Sequence, residues 1–190
     1  MPKQVDHDER RREIGDAVCR VMAARGLDAV SLRHVAAEAG VSMGRVQHYF
    51  ATKDDMLLFA FNQISDRVAQ RLGAVHSDDP RTHLRALLLE LLPLTPAARA
   101  EAPVLAAFLA QAVVEPRLAE PLREGGLQMA AFVASLIAQA RPDGDAERDA
   151  MALLAFIDGL MLQMLIGQVH ADVAVELVDH QLRHVLMASP

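Results

Sequence analysis

The chain is poor in aromatic residues and almost free of cysteine. Aromatic side chains make up 4% of its 190 residues, with no Trp, one Tyr and six Phe. Because strand-favouring aromatic residues are scarce while 52% of the chain is apolar, the composition predicts an all-α fold with a sizeable core. Cys19 is the only cysteine, which excludes an intramolecular disulfide, favours a buried structural thiol and suggests a cytoplasmic protein.

Positive charge is also scarce, since the formal net charge is −6. The charges are unevenly placed, however. Residues 1–53 hold nine Lys or Arg and seven Asp or Glu, so the N-terminal quarter is mildly basic and the remainder is acidic. The total therefore does not exclude a nucleic-acid-binding function for the N-terminal part, with an acidic body that is kept off the duplex.

Residues 31–53 follow the pattern of two short helices separated by a glycine. Ser31 can cap the first helix, and Gly40 supplies the positive φ that ends it. Ser42 can cap a second helix over residues 43–49. A helix, a short turn with glycine and a second helix form a helix-turn-helix, in which the second helix enters the major groove of DNA.

The outward side chains of the second helix have the chemistry for reading DNA. Arg45 suits a guanine edge and Gln47 an adenine edge, while Gly44 lets the backbone approach the duplex. Lys53 begins the next helix behind the cap residue Thr52, where a phosphate can be held. Spacing alone leaves open that the same pattern belongs to an all-α protein that never binds DNA.

The run from Gly40 to Lys53 resembles the tetracycline-repressor (TetR) family of regulators. The residues that carry this resemblance are Leu32, Ala36, Gly40, Val41, Ser42, Tyr49, Phe50, Lys53 and Leu57. The resemblance is strong over residues 10–60 and implies an all-α fold of about nine helices. It implies a three-helix helix-turn-helix DNA-binding domain at residues 1–53 and a helical ligand-binding and dimerisation domain at residues 54–190.

The resemblance also implies a set of DNA-contacting residues. Tyr49 and Lys53 would hold phosphates, and Arg33 and Arg45 would contact bases. Gly44 departs from the bulkier residue often found at its position, which puts the identity of the bases in doubt. The complete set is Ser31, Arg33, Ser42, Met43, Gly44, Arg45, Gln47, His48, Tyr49 and Lys53.

The last two predicted helices, at residues 146–168 and 172–187, favour a homodimer. The first is apolar on almost every side, and in a chain of this size burial on all sides calls for a second subunit. TetR-like proteins dimerise through the same pair of helices. The predicted interface residues are Leu153, Phe156, Ile157, Gly159, Leu160, Met164, Leu177, Leu182 and Val185.

In TetR-like regulators the C-terminal helices enclose a small-molecule pocket whose occupation releases DNA, so the resemblance implies a repressor of a palindromic operator. Because aromatic residues are scarce, a cage for a quaternary ammonium is hard to build, and a mainly apolar effector is predicted. Polar groups in apolar helices and nearby phenylalanines are the candidate pocket residues. They are Phe59, Gln63, Phe108, Gln111, Phe132, Phe156 and Gln163, with Gln128 and Asp158 as further polar candidates.

Two alternatives remain open from sequence. Glu176, His180 and His184 share one face of the last helix and could bind Zn or Ni in a helical metal-dependent enzyme, although surface or interface histidines are the simpler explanation. Paired catalytic carboxylates, a nucleophile motif and a phosphate loop are all missing, so a protein without enzymatic activity, metal or cofactor is predicted. The second alternative is a transcriptional activator of the same fold.

Two segments are predicted to lack helix, and a third is predicted not to span a membrane. Residues 1–9 are polar and read as a loose arm before the arginines at positions 10–12, which could touch phosphate. Residues 94–103 are rich in proline and are predicted to form a loop or a pair of short turns. The apolar run in residues 146–168 is interrupted by polar groups, so no membrane span is predicted. No apolar segment follows the charged N-terminal residues, so no signal peptide is predicted.

Overall fold

Helices account for nearly all of the architecture of the protein. The computed structural model describes residues 2–187, and no strand occurs among them. The all-α prediction is therefore confirmed. The helices are α1 (Pro2–Arg25), α2 (Leu32–Ala39), α3 (Met43–Tyr49), α4 (Lys53–Ala74), α5 (Pro80–Glu90), α6 (Pro96–Ala112), α7 (Pro116–Ala140), α8 (Ala146–Leu165) and α9 (Ala171–Met187), with a 3-10 turn at Leu27–Ala29.

The helix-turn-helix forms as its capping residues predict. Ser31 Oγ accepts a hydrogen bond of 3.2 Å from His34 N, and Ser42 Oγ accepts one of 3.2 Å from Arg45 N. Gly40 ends α2 in the left-handed conformation, at φ 66° and ψ 31°. Because a residue with a Cβ is strained in that conformation, glycine fixes the point at which the chain turns from α2 into α3.

A capping box starts α4. Thr52 Oγ1 accepts a hydrogen bond from Asp55 N at 3.1 Å, and Asp55 Oδ2 accepts one from Thr52 N at 3.0 Å. The two bonds satisfy backbone groups that a helix start otherwise leaves unpaired. The helix then runs for 22 residues, which is long enough to leave the N-terminal unit and enter the rest of the molecule.

The buried side chains form two hydrophobic cores, and α4 contributes to both. Ile64 belongs to the N-terminal core with α1, α2 and α3, whereas Leu72 belongs to the C-terminal core of α5, α7, α8 and α9. Val104 and Phe108 of α6 and Leu118 of α7 also lie in the N-terminal core. Helix α4 starts at Lys53, and the packing of the N-terminal core extends well past that residue.

The first helix is longer than predicted. The polar residues after Met1 were expected to be a loose arm, but α1 already begins at Pro2. Proline suits the first helical position because its missing N–H needs no partner there. The packing of His7 against Tyr49 also supports the added turns.

The proline-rich segment before residue 104 is also helical, contrary to the loop prediction. Thr95 caps α6 by accepting a hydrogen bond from Ala98 N at 3.1 Å, and Pro96 follows in the first turn. Pro103 lies inside the helix with its ring exposed. A run of alanines, the strongest helix former, outweighs the one backbone hydrogen bond that Pro103 removes.

No single helix of residues 2–187 is both long and apolar enough to cross a membrane. Helices α6 and α7 reach that length and hydropathy only when taken together, and they meet at a bend of 119°.

The single cysteine is half-buried at the junction of α1 with α4, and its reactivity tests that partial burial. Removal from water raises the pKa of the Cys19 thiol to about 11. At pH 8 only about 0.1% of such a thiol is ionised, and the thiolate is the reactive form. We expect iodoacetamide to alkylate the folded protein roughly 100-fold more slowly than the protein unfolded in guanidinium. Mass spectrometry of timed samples measures both rates, and equal rates would contradict the burial.

Candidate nucleic-acid interface

Helix α3 has one face fixed to the core and one face open to solvent. Val46 and Phe50 are buried in the N-terminal core. Met43, Arg45 and Gln47 point away from it and are exposed. The buried pair sets the orientation of the helix, so the exposed side chains form a surface of defined shape. The guanidinium of Arg45 forms no salt bridge with any carboxylate in the described part of the chain.

The ten predicted DNA-contacting residues lie on α2 and α3, at the cap positions just before these two helices, and at the start of α4. Ser31 and Tyr49 are half-buried, and the other eight are exposed. Ser31 and Ser42 use their hydroxyl oxygens as acceptors within the caps. Their hydroxyl protons therefore remain available to donate to a phosphate.

Lys53 is held differently from what its predicted role suggests. Its Nζ donates a hydrogen bond of 3.2 Å to the backbone oxygen of Leu27 in the 3-10 turn. An ammonium has three donors, so a phosphate can still be bound by the remaining two. The contact ties the start of α4 to the end of α1, which keeps the cation at a fixed place beside the helix-turn-helix.

A ring cluster beside the recognition surface was missed by sequence analysis. The centroid of the His7 ring lies 4.6 Å from that of Tyr49 and 6.2 Å from that of His48. The rings of His48 and Tyr49 are 5.2 Å apart. The N-terminal turns of α1 therefore lie next to the end of α3. A helical reading of residues 2–9, starting from Pro2, would have placed His7 here.

Two of the predicted ligand-pocket residues lie instead at the joint of α1 with α4. The Arg11 guanidinium carbon is 4.4 Å from the ring centroid of Phe59 and 5.2 Å from that of Phe50. Gln63 Nε2 donates a hydrogen bond of 3.3 Å to the backbone oxygen of Arg12. Phe59 and Gln63 therefore lie against α1, and the Arg11 guanidinium lies against two aromatic rings.

The glycine opposite Gln63 shows how tightly this joint is packed. A Cβ at Gly15 would lie 1.8 Å from Gln63 Oε1 and 3.0 Å from a ring carbon of Phe59. A side chain at position 15 would require the Gln63 amide to move away from α1, so glycine allows Gln63 to keep its present position. Gln63 Nε2 thus has its partner on α1, whereas Gln63 Oε1 is buried without a hydrogen-bond partner in the described part of the chain.

The other predicted pocket residues do not share one site. Phe108 lies in the N-terminal core, where its ring centroid is 5.3 Å from that of Phe61. Phe156 packs against the C-terminal core, and Phe132 and Gln163 are exposed, as is Gln128. Gln111 is half-buried at the end of α6. The predicted set therefore divides between two cores and the surface.

The predicted dimer residues are mostly buried by their own chain. Five of the nine are buried in the C-terminal core, namely Leu153, Ile157, Leu160, Leu182 and Val185. Phe156, Gly159, Met164 and Leu177 are half-buried. The single chain thus covers one side of α8 with its own core. A different set of apolar side chains on α8 and α9 is exposed, namely Met151, Leu162, Ile166, Val173 and Met187.

An acidic residue interrupts this exposed apolar face. Asp158 lies on α8 between Met151 and Leu162, among apolar neighbours. Removal of water by these neighbours raises the pKa of its carboxyl. A further loss of water on this face would increase that cost, so Asp158 limits how tightly the face can be covered.

The histidines of α9 do not assemble a metal site in the described part of one chain. The rings of His180 and His184 are 4.6 Å apart, but no group of three His, Cys, Asp or Glu ligands comes together among residues that the structure describes. Both histidines line a shallow depression of about 350 Å³ that also contains Arg183. A cation at that position disfavours a metal ion, so Glu176, His180 and His184 do not support the enzyme alternative.

Two family sequence profiles match the chain. The profile described as bacterial regulatory proteins, tetR family, matches residues 14–59. The profile described as BetI-type transcriptional repressor, C-terminal, matches residues 80–187, which is more than half of the chain. The first match contains the helix-turn-helix, and the second covers α5 to α9.

Individual relatives agree with the profiles over almost the full length. The HTH-type transcriptional regulator PksA of Bacillus subtilis (strain 168) is 30% identical over 177 residues, which is 90% of this chain and 86% of that protein. The crystal structure of a transcriptional regulator from Rhodococcus sp. Rha1 has a TM-score of 0.88 at 34% identity, covering 95% of this chain and 99% of that chain. A regulator from Saccharomonospora viridis, solved in complex with choline, has a TM-score of 0.80 at 28% identity, with 94% of each chain covered.

The exposed face of α3, its capped helix-turn-helix and these matches together identify the family. The chain belongs to the tetR family of bacterial regulatory proteins and is a ligand-responsive, DNA-binding transcriptional regulator with a body of the BetI repressor type.

Proposed function

We propose that the protein is a repressor that binds a two-fold-symmetric operator as a homodimer and leaves it when a small molecule binds the body. Residues 1–53 form the DNA-reading unit and residues 54–190 the body. The observation that carries the proposal is that α3 is packed against the core on one face. Because Val46 and Phe50 are buried, Arg45 and Gln47 are presented at fixed positions to the edges of bases.

The dimer forms through the exposed apolar face of α8 and α9. Leu162 is 47% exposed and Ile166 is 75% exposed within one chain. Contiguous apolar surface of this kind marks an association site. Two copies that pair through this face form a four-helix contact and present two α3 helices, which in such regulators read half-sites about 34–36 Å apart.

The effector is a small, mainly apolar molecule that binds among the helices of the body. Choline is the second candidate, because the Saccharomonospora viridis regulator of similar fold is solved in complex with it. A quaternary ammonium is best held by aromatic faces. The single tyrosine of this chain lies on α3, far from the body in sequence, so phenylalanines and carboxylates would have to supply that site.

A binding measurement on DNA next to the protein's own gene tests the proposal. Fluorescence anisotropy with labelled duplexes, repeated over a salt titration, should give tight binding to one symmetric segment and much weaker binding to scrambled DNA. The affinity should fall steeply with salt because bound phosphates release counterions. Addition of choline, or of neutral apolar compounds, then identifies the class that releases the duplex. Equal weak binding to every duplex would contradict an operator at this place.

Replacing Arg45 by alanine tests the proposed base contact. We expect Arg45→Ala to weaken operator binding by about 1–3 kcal/mol, because a bidentate contact to a guanine edge is lost. Arg123→Ala is the matched control. Arg123 is an exposed arginine of α7, paired with Glu120, and its loss should leave the affinity unchanged. Titrations of both variants against the same operator give the comparison. An Arg45→Ala protein with wild-type affinity would remove Arg45 from the reading set.

Replacing Leu162 by arginine tests the proposed dimer face. A charge placed in an apolar contact without a partner is costly, so Leu162→Arg should raise the dimer dissociation constant about tenfold or more. Val113→Arg is the control, since Val113 is 84% exposed at the corner between α6 and α7. Sedimentation velocity measures the association of both folded variants.

The neighbouring position separates a dimer effect from a folding effect. Leu160 is only 3% exposed in the core of its own chain, so Leu160→Arg should unfold the protein rather than yield folded monomers. If Leu162→Arg sediments as a normal dimer, the interface lies on another face.

A further inference from the structure

One carboxylate is buried at the contact between the body and the DNA-reading unit. Glu101 of α6 is 8% exposed and is the one buried charged side chain among those that the structure describes. Its Oε1 accepts a hydrogen bond of 2.7 Å from Arg67 Nε. Its Oε2 lies 2.8 Å from Arg71 Nη1, as an ion pair whose alignment is not that of a hydrogen bond. One side chain of α6 thus holds two successive turns of α4.

The two arginines carry the contact to two further helices. Arg67 Nη1 donates a hydrogen bond of 3.1 Å to Asp16 Oδ1 on α1. Arg71 Nε donates one of 2.7 Å to Glu90 Oε1 on α5. Two cations and three carboxylates from α1, α4, α5 and α6 therefore form one chain of ion pairs, which we call the joint network.

Burial makes the position of Glu101 restrictive. A carboxylate that is removed from water needs charged or hydrogen-bonding partners, and separating it from them is costly. Helix α6 therefore cannot slide along α4 unless Arg67 and Arg71 follow Glu101 or lose it. If Arg67 moves, its contact with Asp16 must lengthen or α1 must move as well.

Apolar packing places α6 at the same joint. Val104 and Phe108 follow Glu101 on α6, and both lie in the N-terminal core at 1% exposure. Helix α6 is thus fixed to the DNA-reading unit by an apolar surface and by Glu101 beside it. The apolar part sets the distance between the helices, whereas the ion pairs are directional and set their angle.

We propose that Glu101 is a positioning residue that sets the angle of the DNA-reading unit on the body, acting through Arg67 on Asp16. The inference deepens the proposed function, because that angle determines the separation of the two α3 helices in a dimer. A ligand that moves α6 changes the position of Arg67 and, with it, the contact of Arg67 with Asp16 on α1. Glu101→Gln keeps the shape of the side chain but removes the negative charge that pairs with both arginines.

Distances within one chain test this proposal without DNA, effector or dimer. Nitroxides are attached through a ketone-bearing amino acid in place of Gln47 on α3 and of Gln128 on α7, both of which are exposed. This chemistry leaves Cys19 untouched. The labelled full-length protein is diluted with an excess of unlabelled protein, so that pulsed electron-electron resonance reports the distance inside single chains.

The expected result is one narrow distance distribution for the otherwise unchanged protein. Glu101→Gln should shift its mean by several ångströms or widen it about twofold, and Asp16→Asn should change it in the same direction. The matched control is Asp179→Asn, which breaks the pair of Arg85 with Asp179 between α5 and α9 at 2.5 and 3.0 Å. This control removes a comparable pair within the body and should leave the distribution unchanged.

Circular dichroism melting of each variant separates position from stability. A purely structural role predicts lower melting temperatures with the same distance distribution. Unchanged distributions in both joint variants, or an equal change in Asp179→Asn, would overturn the proposal. If Glu101→Gln fails to fold, the distance distribution of Asp16→Asn tests the proposal. The Asp16 side chain is 46% exposed, so its substitution is tolerated more easily. Failure to find an operator leaves this measurement unaffected.

Discussion

The whole arrangement depends on one continuous helix that is shared by two cores. Ile64 of α4 packs among the DNA-reading helices, and two turns later Leu72 packs in the body. Because a helix is stiff over this length, neither core can rotate without a response at the other. Helix α6 adds a second connection through Phe108 and Glu101. The molecule is therefore two packed units with a joint that has both an apolar and an ionic part.

Local chemistry explains why much of the fold was predictable from sequence. Ser31, Gly40, Ser42 and Thr52 act within a few residues of themselves, so the caps and turn that they predict are the ones observed. The misread helix starts have a different cause. For α1, the polar composition of residues 1–9 predicts a loose arm. For α6, the prolines predict a break in the helix, although Pro96 lies in the first turn and Pro103 on an exposed face. Their effect depends on which backbone groups need partners, which is a property of the whole helix.

The candidate sites were less predictable because they depend on which element lies opposite. A glutamine in an apolar stripe looked like a ligand contact, yet Gln63 is opposite Gly15 and Arg12 on another helix. Likewise, Leu160 and Leu162 are two positions apart on an apolar helix, but one is buried by its own chain and the other is open. Periodicity shows that a side chain is apolar, and only the tertiary arrangement shows what covers it. The DNA-facing residues avoid this difficulty because they lie on one short helix with one buried face.

The place of Cys19 gives the joint a built-in chemical indicator. The thiol is next to Arg67 of the joint network, and exclusion of water is the largest cause of its raised pKa, ahead of the charges around it. Its ionisation therefore depends chiefly on whether water reaches the space between α1 and α4. Separation of these helices would hydrate the sulfur and bring its acidity back toward that of an ordinary cysteine. The reactivity of the Cys19 sulfur therefore reports the separation of α1 from α4, with no label added to the molecule.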